Sequence, residues 1–329
     1  MRSRGFTLIE WLIAMLIGVF LVGGGLSIFV ASRATTEDAF DQSELQENGR
    51  IAMRMLTQDL KWAGFWGDYT GSPMAVGPGV AVLGSATSGC GSLPTSAGTR
   101  SLLVMKVGNT GNLVGEDSSC IPTNSNWSFN SDTDVISLKR LIGHGFSVSS
   151  KLNANRFYMA TTTESAKLFA IENESDAIPS EVINMSNPQV WEYQHVIYYS
   201  VTNKDDNVPE LRKRILTVNS GSWQISGPMA EGVEKISLML GVDDTADGIV
   251  DRYIPSGSVS LQEWNSEMVI SVRIFILIRS KNASNRYVDK KTYIVGSIPP
   301  YTPNDNYRRL LLESSVSLRN PAVITGGGL

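Results

Sequence analysis

The sequence predicts an α+β protein, in which one long N-terminal helix packs on an antiparallel, β-rich globular head. An apolar segment near the N-terminus continues into a stretch with helical spacing of apolar residues. From about Gly67 the pattern changes to short β-type runs separated by Gly, Pro, Asn and Ser. A length of 329 residues allows a sizeable core, and a net charge of −4 excludes a global basic surface for nucleic acid.

The predicted helix starts in a segment long enough to cross a membrane. Trp11–Ser32 holds twenty-two uncharged residues, which is roughly 33 Å of helix against a bilayer core of about 30 Å. Arg2 and Arg4 precede it, so the positive-inside rule places the N-terminus in the cytoplasm and the head on the other side of the membrane. A cleaved signal peptide has a shorter apolar region. A plain signal anchor leaves Glu10 unexplained, because its carboxylate lies one turn inside the apolar segment.

An amphipathic stem is predicted to continue this helix to about Ala63, with Gly64 as its C-cap. Charged residues fill the positions between the apolar ones. Gly23–Gly25 interrupts the helix, and this run indicates either close helix packing in the membrane or local melting. The apolar positions of the stem are Phe40, Leu45, Ile51, Ala52, Met55, Leu56, Leu60 and Ala63.

The run Gly5-Phe6-Thr7-Leu8-Ile9-Glu10 resembles the type III signal of type IV pilins and type II secretion pseudopilins. In that family a prepilin peptidase cuts after the Gly, here Gly5, and methylates the new N-terminal residue, here Phe6. The Glu at the fifth mature position, here Glu10, is expected to pair with the free amine of a neighbouring subunit during assembly. The resemblance implies a pilin-like fold with four parts. These are a leader (1–5), a transmembrane and filament-core helix (6–32), a stem (33–64) and a head (65–329), which is periplasmic first and later on the pilus surface.

Two further segments resemble the PilW family of minor pilins. Leu56–Gly67 is similar to that family's D-L-R-x-A-G-aromatic-x-G helix end, with Lys61 in place of the more usual Arg. Tyr307–Arg309 followed by Val316–Asn320 is similar to its C-terminal strand. The resemblance implies a minor pilin that joins a tip priming complex and promotes type IV pilus assembly, supporting twitching, adhesion or DNA uptake. The implied partners are other minor pilins, the major pilin, the prepilin peptidase and a tip adhesin.

The head is predicted to be built from short strands. Met268–Ile278 is expected to be central and buried on both faces, with Lys281–Asn285 as a hairpin loop joining it to Tyr287–Val295. Gly84–Thr99 and Asn124–Asp132 are predicted loops, and a division into two sub-sheets near residues 175–190 stays open. The other predicted strands are Leu102–Val107, Val135–Leu141, Phe157–Ala160, Lys167–Ile171, Val190–Val201, Leu211–Val218 and Val233–Val242.

Cysteine usage and one acidic loop give two candidate sites. Cys90 and Cys120 lie in a translocated domain, where an oxidising compartment favours a disulfide over two free thiols. The acidic loop matches the first nine positions of a calcium loop, although position twelve is Ile254, so that Glu263 or Glu267 would have to complete it. The alternative is an acidic β-turn. The calcium donors would be Asp243, Thr245, Asp247, the Ile249 carbonyl and Asp251.

No catalytic constellation is evident, so the chain is not predicted to be an enzyme. The two histidines, His144 and His195, lie in a turn and in a strand-like run, and no nucleophile-elbow, P-loop or zinc-protease motif accompanies them. No cofactor is required beyond the candidate structural calcium. Two alternatives stay open, a type II secretion minor pseudopilin and a membrane-anchored periplasmic binding module or enzyme. The aromatic residues at the helix end are expected to pack in the core or to form a subunit interface. They are Trp62, Phe65, Trp66 and Tyr69.

Overall fold

A single helix dominates the N-terminal part of the computed structural model. Helix α1 spans Leu8–Lys61 without a break, including Gly23–Gly25, and its 54 residues extend for about 81 Å. The predicted long helix is therefore confirmed. The structure describes residues 7–70, 77, 79–84, 101–114, 126–218, 223–260, 262–263, 266, 268–318 and 320.

The elements of the head whose bounds the structure describes are fourteen strands, one short helix, α2 (Ser180–Ile183), and a 3-10 turn at Ser256–Ser258. The strands are β1 (Val80–Val82), β2 (Leu102–Val107), β3 (Leu113–Val114), β4 (Trp127–Phe129), β5 (Thr133–Phe146), β6 (Arg156–Thr161), β7 (Ala166–Ile171), β8 (Gln189–Asn203), β9 (Pro209–Leu216), β10 (Trp223–Glu231), β11 (Val233–Val242), β12 (Arg252–Pro255), β13 (Val269–Arg279) and β14 (Arg309–Ser317).

Ten of these strands form one sheet around β8, which at 15 residues is the longest strand described. Strand β5 pairs with one edge of β8, while β6 and β9 share the other edge. The order is β1-β7-β6-β8-β5-β2-β3, with β10 added to β9 and β4 to the end of β8. The pairing is antiparallel, except that β1 is parallel to β7.

The remaining four strands form a second sheet in the order β12-β11-β13-β14. Its central strand β13 is buried on both faces, as predicted. Ile274 and Ile276 pack in the core beneath α1, and Leu277 packs on the other side against Tyr293 and Val295. The division between the sheets falls at Gly232 between β10 and β11, not near residues 175–190.

The predicted hairpin after β13 is wrong. The partner of β13 is β14, and Tyr287–Val295 is not a strand but part of an excursion over residues 280–308. Two isolated bridges, Asp289 with Asp305 and Tyr293 with Tyr301, pair this excursion with itself. Tyr293 and Val295 of the predicted strand cover one face of β13 instead of extending its sheet. The predicted loop Asn124–Asp132 also contains a short strand, β4.

A buried polar junction joins the two sheets. At the start of β5, the Thr133 hydroxyl donates to the Ile236 carbonyl at 3.2 Å and accepts from the Ile236 N–H at 2.9 Å. The neighbouring Asp134 carboxylate accepts from the Leu238 N–H at 2.7 Å. Asp134 is 1% exposed, and this burial raises its pKa to about 6, although the Leu238 N–H and the charge of Lys106 act in the opposite direction.

The junction predicts that the contribution of Asp134 to stability falls as the pH rises through its pKa. Its pKa is raised on folding, so the folded state holds the proton more tightly than the unfolded state between about pH 4 and pH 6. We expect the stabilisation of the wild type relative to Asp134→Asn to be roughly 1 kcal/mol larger at pH 5 than at pH 7, because the variant lacks only the contribution of this carboxyl group. Urea denaturation of both proteins at the two pH values measures it. An equal slope in the two proteins would contradict the assignment.

Candidate functional site

Helix α1 begins with a capping box formed by Thr7 and Glu10. The Glu10 N–H donates to the Thr7 hydroxyl oxygen at 3.3 Å. In return, Oε2 of Glu10 accepts from the Thr7 N–H at 2.9 Å and from the Thr7 hydroxyl at 3.0 Å. Oε1 of Glu10 has no hydrogen-bond partner among the described residues, so the carboxylate can accept another donor without losing the cap.

The first half of α1 projects away from the head. Every large apolar side chain between Leu8 and Val30 is half or more exposed, although together they form a long apolar surface. Of the part of the chain that the structure describes, this helix alone is long and apolar enough to cross a membrane. A Cβ added at Gly23, Gly24 or Gly25 would contact nothing within 4 Å. This half therefore has room to pack against lipid or other helices.

The second half of α1 packs on the head. Leu45, Ala52, Leu56 and Leu60 are buried in a core that includes residues from both sheets. At Gly49 a Cβ would lie 2.5 Å from Cδ1 of Leu312 and 2.6 Å from Cδ1 of Ile278. The lack of a side chain at this position lets the helix approach β13 and β14 closely.

A polar anchor fixes the end of α1 to the large sheet; we call Asp59, Arg140, Tyr198 and Lys213 the helix–head anchor. Oδ1 of Asp59 accepts from Nη2 of Arg140 at 2.9 Å, and Oδ2 accepts from Nζ of Lys213 at 3.1 Å and from the Tyr198 hydroxyl. The side chains of Asp59, Arg140 and Lys213 are 14%, 10% and 16% exposed. Burial raises the pKa of Asp59, but Arg140, Tyr198 and Lys213 outweigh it and hold the pKa below its ordinary value.

The chain leaves α1 through two left-handed glycines and a set of aromatic residues. Gly64 and Gly67 have φ of +72° and +64°, and a Cβ at Gly67 would lie 2.7 Å from Nε1 of Trp191. These constraints explain both glycines of the helix-end motif. Trp66 is 5% exposed and stacks on Tyr193, whereas Trp62 is 51% exposed. Trp66 therefore packs in the core, whereas Trp62 is available for contact with another molecule.

The C-terminal motif also has a defined place in the structure. The side chain of Arg309, at the start of β14, is fully buried and lies between the carboxylates of Glu234 and Asp305 at 2.6 Å from each. It also lies over the ring of Tyr301. The neighbouring Arg308 forms an ion pair of 2.9 Å with Asp38 on α1. The pair of arginines thus joins the excursion over residues 280–308 to the small sheet and to the helix.

The candidate calcium loop is closed by its own hydrogen bonds. Oδ2 of Asp243 accepts from the Gly248 N–H at 2.8 Å, and Oδ2 of Asp251 accepts from the N–H groups of Asp244 at 2.8 Å and Thr245 at 3.2 Å. Within the described residues, no three His, Cys, Asp or Glu side chains form a group that could hold a metal. The suggested completing ligand Glu263 is bound instead by Arg252 and by the Ser260 N–H at 2.5 Å. Glu267 lies outside the described residues.

A serine and a histidine meet in the core, but not in a cleft. Oγ of Ser137 lies 2.6 Å from Nε2 of His195, a pair that the sequence did not indicate. The two residues are 1% and 0% exposed, and burial together with the charge of Lys139 holds the pKa of His195 well below its ordinary value. A substrate cannot reach this pair in the described packing, which is typical of a structural hydrogen bond.

Several predicted site residues lie outside the described residues. These are the cleavage and methylation positions, Gly5 and Phe6, and the two cysteines, Cys90 and Cys120. The structure places Glu10 at the exposed tip of α1 and Asp59 at its docked end, so the predicted assembly residue and the anchor residue occupy opposite ends of one helix. The motif around Leu56–Gly67 identified Asp59 without assigning a role, while its partners Arg140, Tyr198 and Lys213 gave no sequence signal.

Two family models match parts of the chain. Residues 1–26 match the prokaryotic N-terminal methylation motif, which includes Gly5, Phe6 and Glu10. Residues 198–320 match the model described as Type IV Pilus-assembly protein W, or PilW. The second range contains Tyr198 and Lys213 of the helix–head anchor and continues through β14.

Two individual proteins are also similar to parts of the chain. The pilin-like protein PilA3 of Thermus thermophilus is 38% identical over 66 residues, a match that covers 20% of this chain and 28% of that relative's length. The solved structure of a type IV-like pilin from Thermus thermophilus matches with a TM-score of 0.34 and 8% identity, over 84% of this chain and 97% of its own.

Proposed function

Because the chain combines a prepilin methylation motif with a PilW domain, it is a type IV pilin-like protein of the PilW family, and we propose that it is a minor pilin of a tip priming complex. Its family assigns the chain to type IV pilus biogenesis in general. The finer proposal is that the chain joins other minor pilins at the tip and promotes assembly of the major pilin, with a tip adhesin as a further partner. Pilins of this kind are typically structural proteins, and we propose no catalytic activity for the chain.

The observation that carries this proposal is the division of α1 into an exposed apolar half and a docked half. Before assembly, the apolar half would cross the inner membrane once, with the N-terminus in the cytoplasm and the head in the periplasm. After Phe6 becomes the mature N-terminus, the same surface would pack against helices of neighbouring subunits. The Glu10 carboxylate would then accept the ammonium group of an adjacent subunit, because a buried carboxylate is costly unless it is paired.

An apolar stripe on the free side of α1 supports helix packing beyond the membrane segment. Phe29, Phe40, Ile51 and Trp62 recur every eleven residues and are 64%, 71%, 37% and 51% exposed. Eleven residues are about three helical turns, so the four side chains follow one face. By helical phase this face lies away from the residues of α1 that are buried against the head, although Ile51 also borders the groove beside β14.

Mass spectrometry and a deletion strain together test the function. The mature chain from a pilus preparation is expected to begin with N-methylated Phe6, and the deletion strain is expected to lose surface pili while retaining type II secretion. An intact Met1 or a cut near Ser32 would contradict the pilin assignment. Loss of secretion with normal pili would indicate a pseudopilin instead.

We also retain a structural calcium ion in the loop Asp243–Asp251 as a proposal. A ligand that binds only the folded state would add about 2.7 kcal/mol to the free energy of unfolding at one hundred times its Kd. Millimolar calcium is therefore expected to raise the melting temperature of the full chain in detergent, with magnesium and the variant Asp247→Asn as controls. The absence of a calcium-specific shift would exclude the site.

Alkylation followed by mass spectrometry tests the proposed disulfide between Cys90 and Cys120.

A further inference from the structure

Strand β14 forms an edge of the small sheet. It pairs with β13 over nine residues without a register shift. The Leu318 N–H donates to the Ile270 carbonyl at 2.8 Å, and the Arg308 carbonyl accepts from the Ser280 N–H at 2.8 Å. In an antiparallel strand, the backbone groups of every second residue bond to the same neighbouring strand. The N–H and C=O groups of the even-numbered residues of β14 therefore point toward β13. The backbone groups of residues 311, 313, 315 and 317 therefore point away from β13, with no partner among the described residues.

This edge lacks the features that normally prevent strand addition. Edge strands of natural proteins are usually short or interrupted by a proline, a bulge or several charged side chains. Strand β14 is nine residues long, contains no proline or bulge, and carries one acidic residue, Glu313, along the stretch that follows Arg309. A long regular edge of this kind is a template for another extended chain.

A groove of about 460 Å³ runs between this edge and α1. Ile51 and Met53 of the helix and Leu312 of the strand give it an apolar lining. Arg50 and Arg54 form its cationic side, and neither has an ion-pair partner within the part of the chain that the structure describes. The acidic residues of the groove are Glu47, on the helix, and Glu313, which pairs with Arg273 at 3.5 Å.

We propose that this groove binds an extended strand from the head of another pilin subunit, which adds to β14 and places a carboxylate against Arg50 and Arg54. The open backbone groups require an extended chain, because a helix has already used its own N–H and C=O groups. The two arginines select an acidic side chain, because a carboxylate binds a guanidinium through charge-assisted hydrogen bonds. The identity of the partner as a pilin rests on the proposed function, whereas the binding mode rests on the edge and the groove.

Site-specific photo-cross-linking in pilus-producing cells tests the proposal. A photoreactive residue replaces Glu313 in the full chain, and mass spectrometry maps the cross-linked peptide. We expect a peptide from a strand of another pilin head with Asp or Glu within two residues of the attachment point. A photoreactive residue at Ile183, which is exposed on α2, gives the background yield. A yield no higher than this background, or attachment to a helix, would overturn the proposal.

Two sets of variants separate strand addition from simple proximity. Ser315→Pro removes an outward-facing N–H while the even-numbered bonds to β13 remain, and Ser315→Ala keeps that N–H. We expect the yield to fall at least tenfold for the proline variant and to be unchanged for the alanine variant. The double variant Arg50→Glu with Arg54→Glu, which leaves β14 untouched, is expected to lose the cross-link to the same extent. Equal yields from all these variants would also overturn the proposal.

The same cells distinguish failure of this inference from failure of the proposed function. Methylated Phe6 and normal pili without a cross-link at β14 would overturn the strand addition alone. An unprocessed N-terminus would overturn the proposed function. A variant-sensitive cross-link to a protein that is not a pilin would overturn the partner assignment.

Discussion

Replacing Asp59 with alanine is expected to lower the free energy of unfolding by about 3–5 kcal/mol, because it removes one partner of a buried ion pair. The change leaves Arg140 and Lys213 largely buried without their carboxylate, and it removes the acceptor of the Tyr198 hydroxyl. Helix α1 would also lose its polar side-chain contacts with β5, β8 and β9, and would keep the 3.4 Å hydrogen bond from Arg140 to the carbonyl of residue 59. Urea denaturation of the full chain in detergent, followed by tryptophan fluorescence, measures the effect.

Two control variants identify the charge as the cause. Asp59→Asn keeps a hydrogen-bond acceptor but no charge, so we expect a smaller loss than for alanine. Glu47→Ala removes an exposed carboxylate of the same helix and is expected to change stability by less than about 0.5 kcal/mol. If Asp59→Ala behaved like Glu47→Ala, the helix–head anchor would not contribute to stability.

The anchor shows where sequence reasoning reaches its limit. The apolar periodicity of α1 predicted its course to within two residues of its end, because helical spacing is a local property. The partners of Asp59 lie 81, 139 and 154 residues away, and only the strand order of the large sheet brings them to the helix. A polar residue in a strand gives no indication of which distant carboxylate it will contact.

The strand errors have a similar origin. Tyr287–Val295 has the composition of a strand, but its buried side chains, Tyr293 and Val295, cover a sheet face that the helix leaves open. Burial against a face and burial within a sheet select the same residue types, so the pattern alone cannot separate them. Strand β10 was missed because Gly227 and Pro228 interrupt it, at the position where its register with β9 shifts.

Replacing Glu10 with alanine is expected to reduce incorporation into pili at least tenfold while cleavage after Gly5 and methylation of Phe6 continue. The variant would leave the ammonium group of a neighbouring subunit without its carboxylate inside an apolar helix bundle. Breaking a buried pair in this way typically costs about 3–5 kcal/mol, and each 1.4 kcal/mol corresponds to about a tenfold change in an equilibrium. Immunoblotting of sheared pili against the cell fraction measures incorporation, and mass spectrometry measures processing.

The capping box makes it necessary to separate two roles of this residue. Glu10 also accepts hydrogen bonds from Thr7, so alanine removes a helix cap together with a charge. Glu10→Gln keeps an acceptor for the Thr7 N–H but has no charge, and Thr7→Ala removes the Thr7 hydroxyl of the cap while the carboxylate remains. If Glu10 acts by pairing with a neighbouring subunit, the Glu10→Gln variant fails to assemble into pili and the Thr7→Ala variant assembles nearly normally. If instead Glu10→Gln assembled normally and Thr7→Ala did not, Glu10 would act by capping the N-terminus of its own helix.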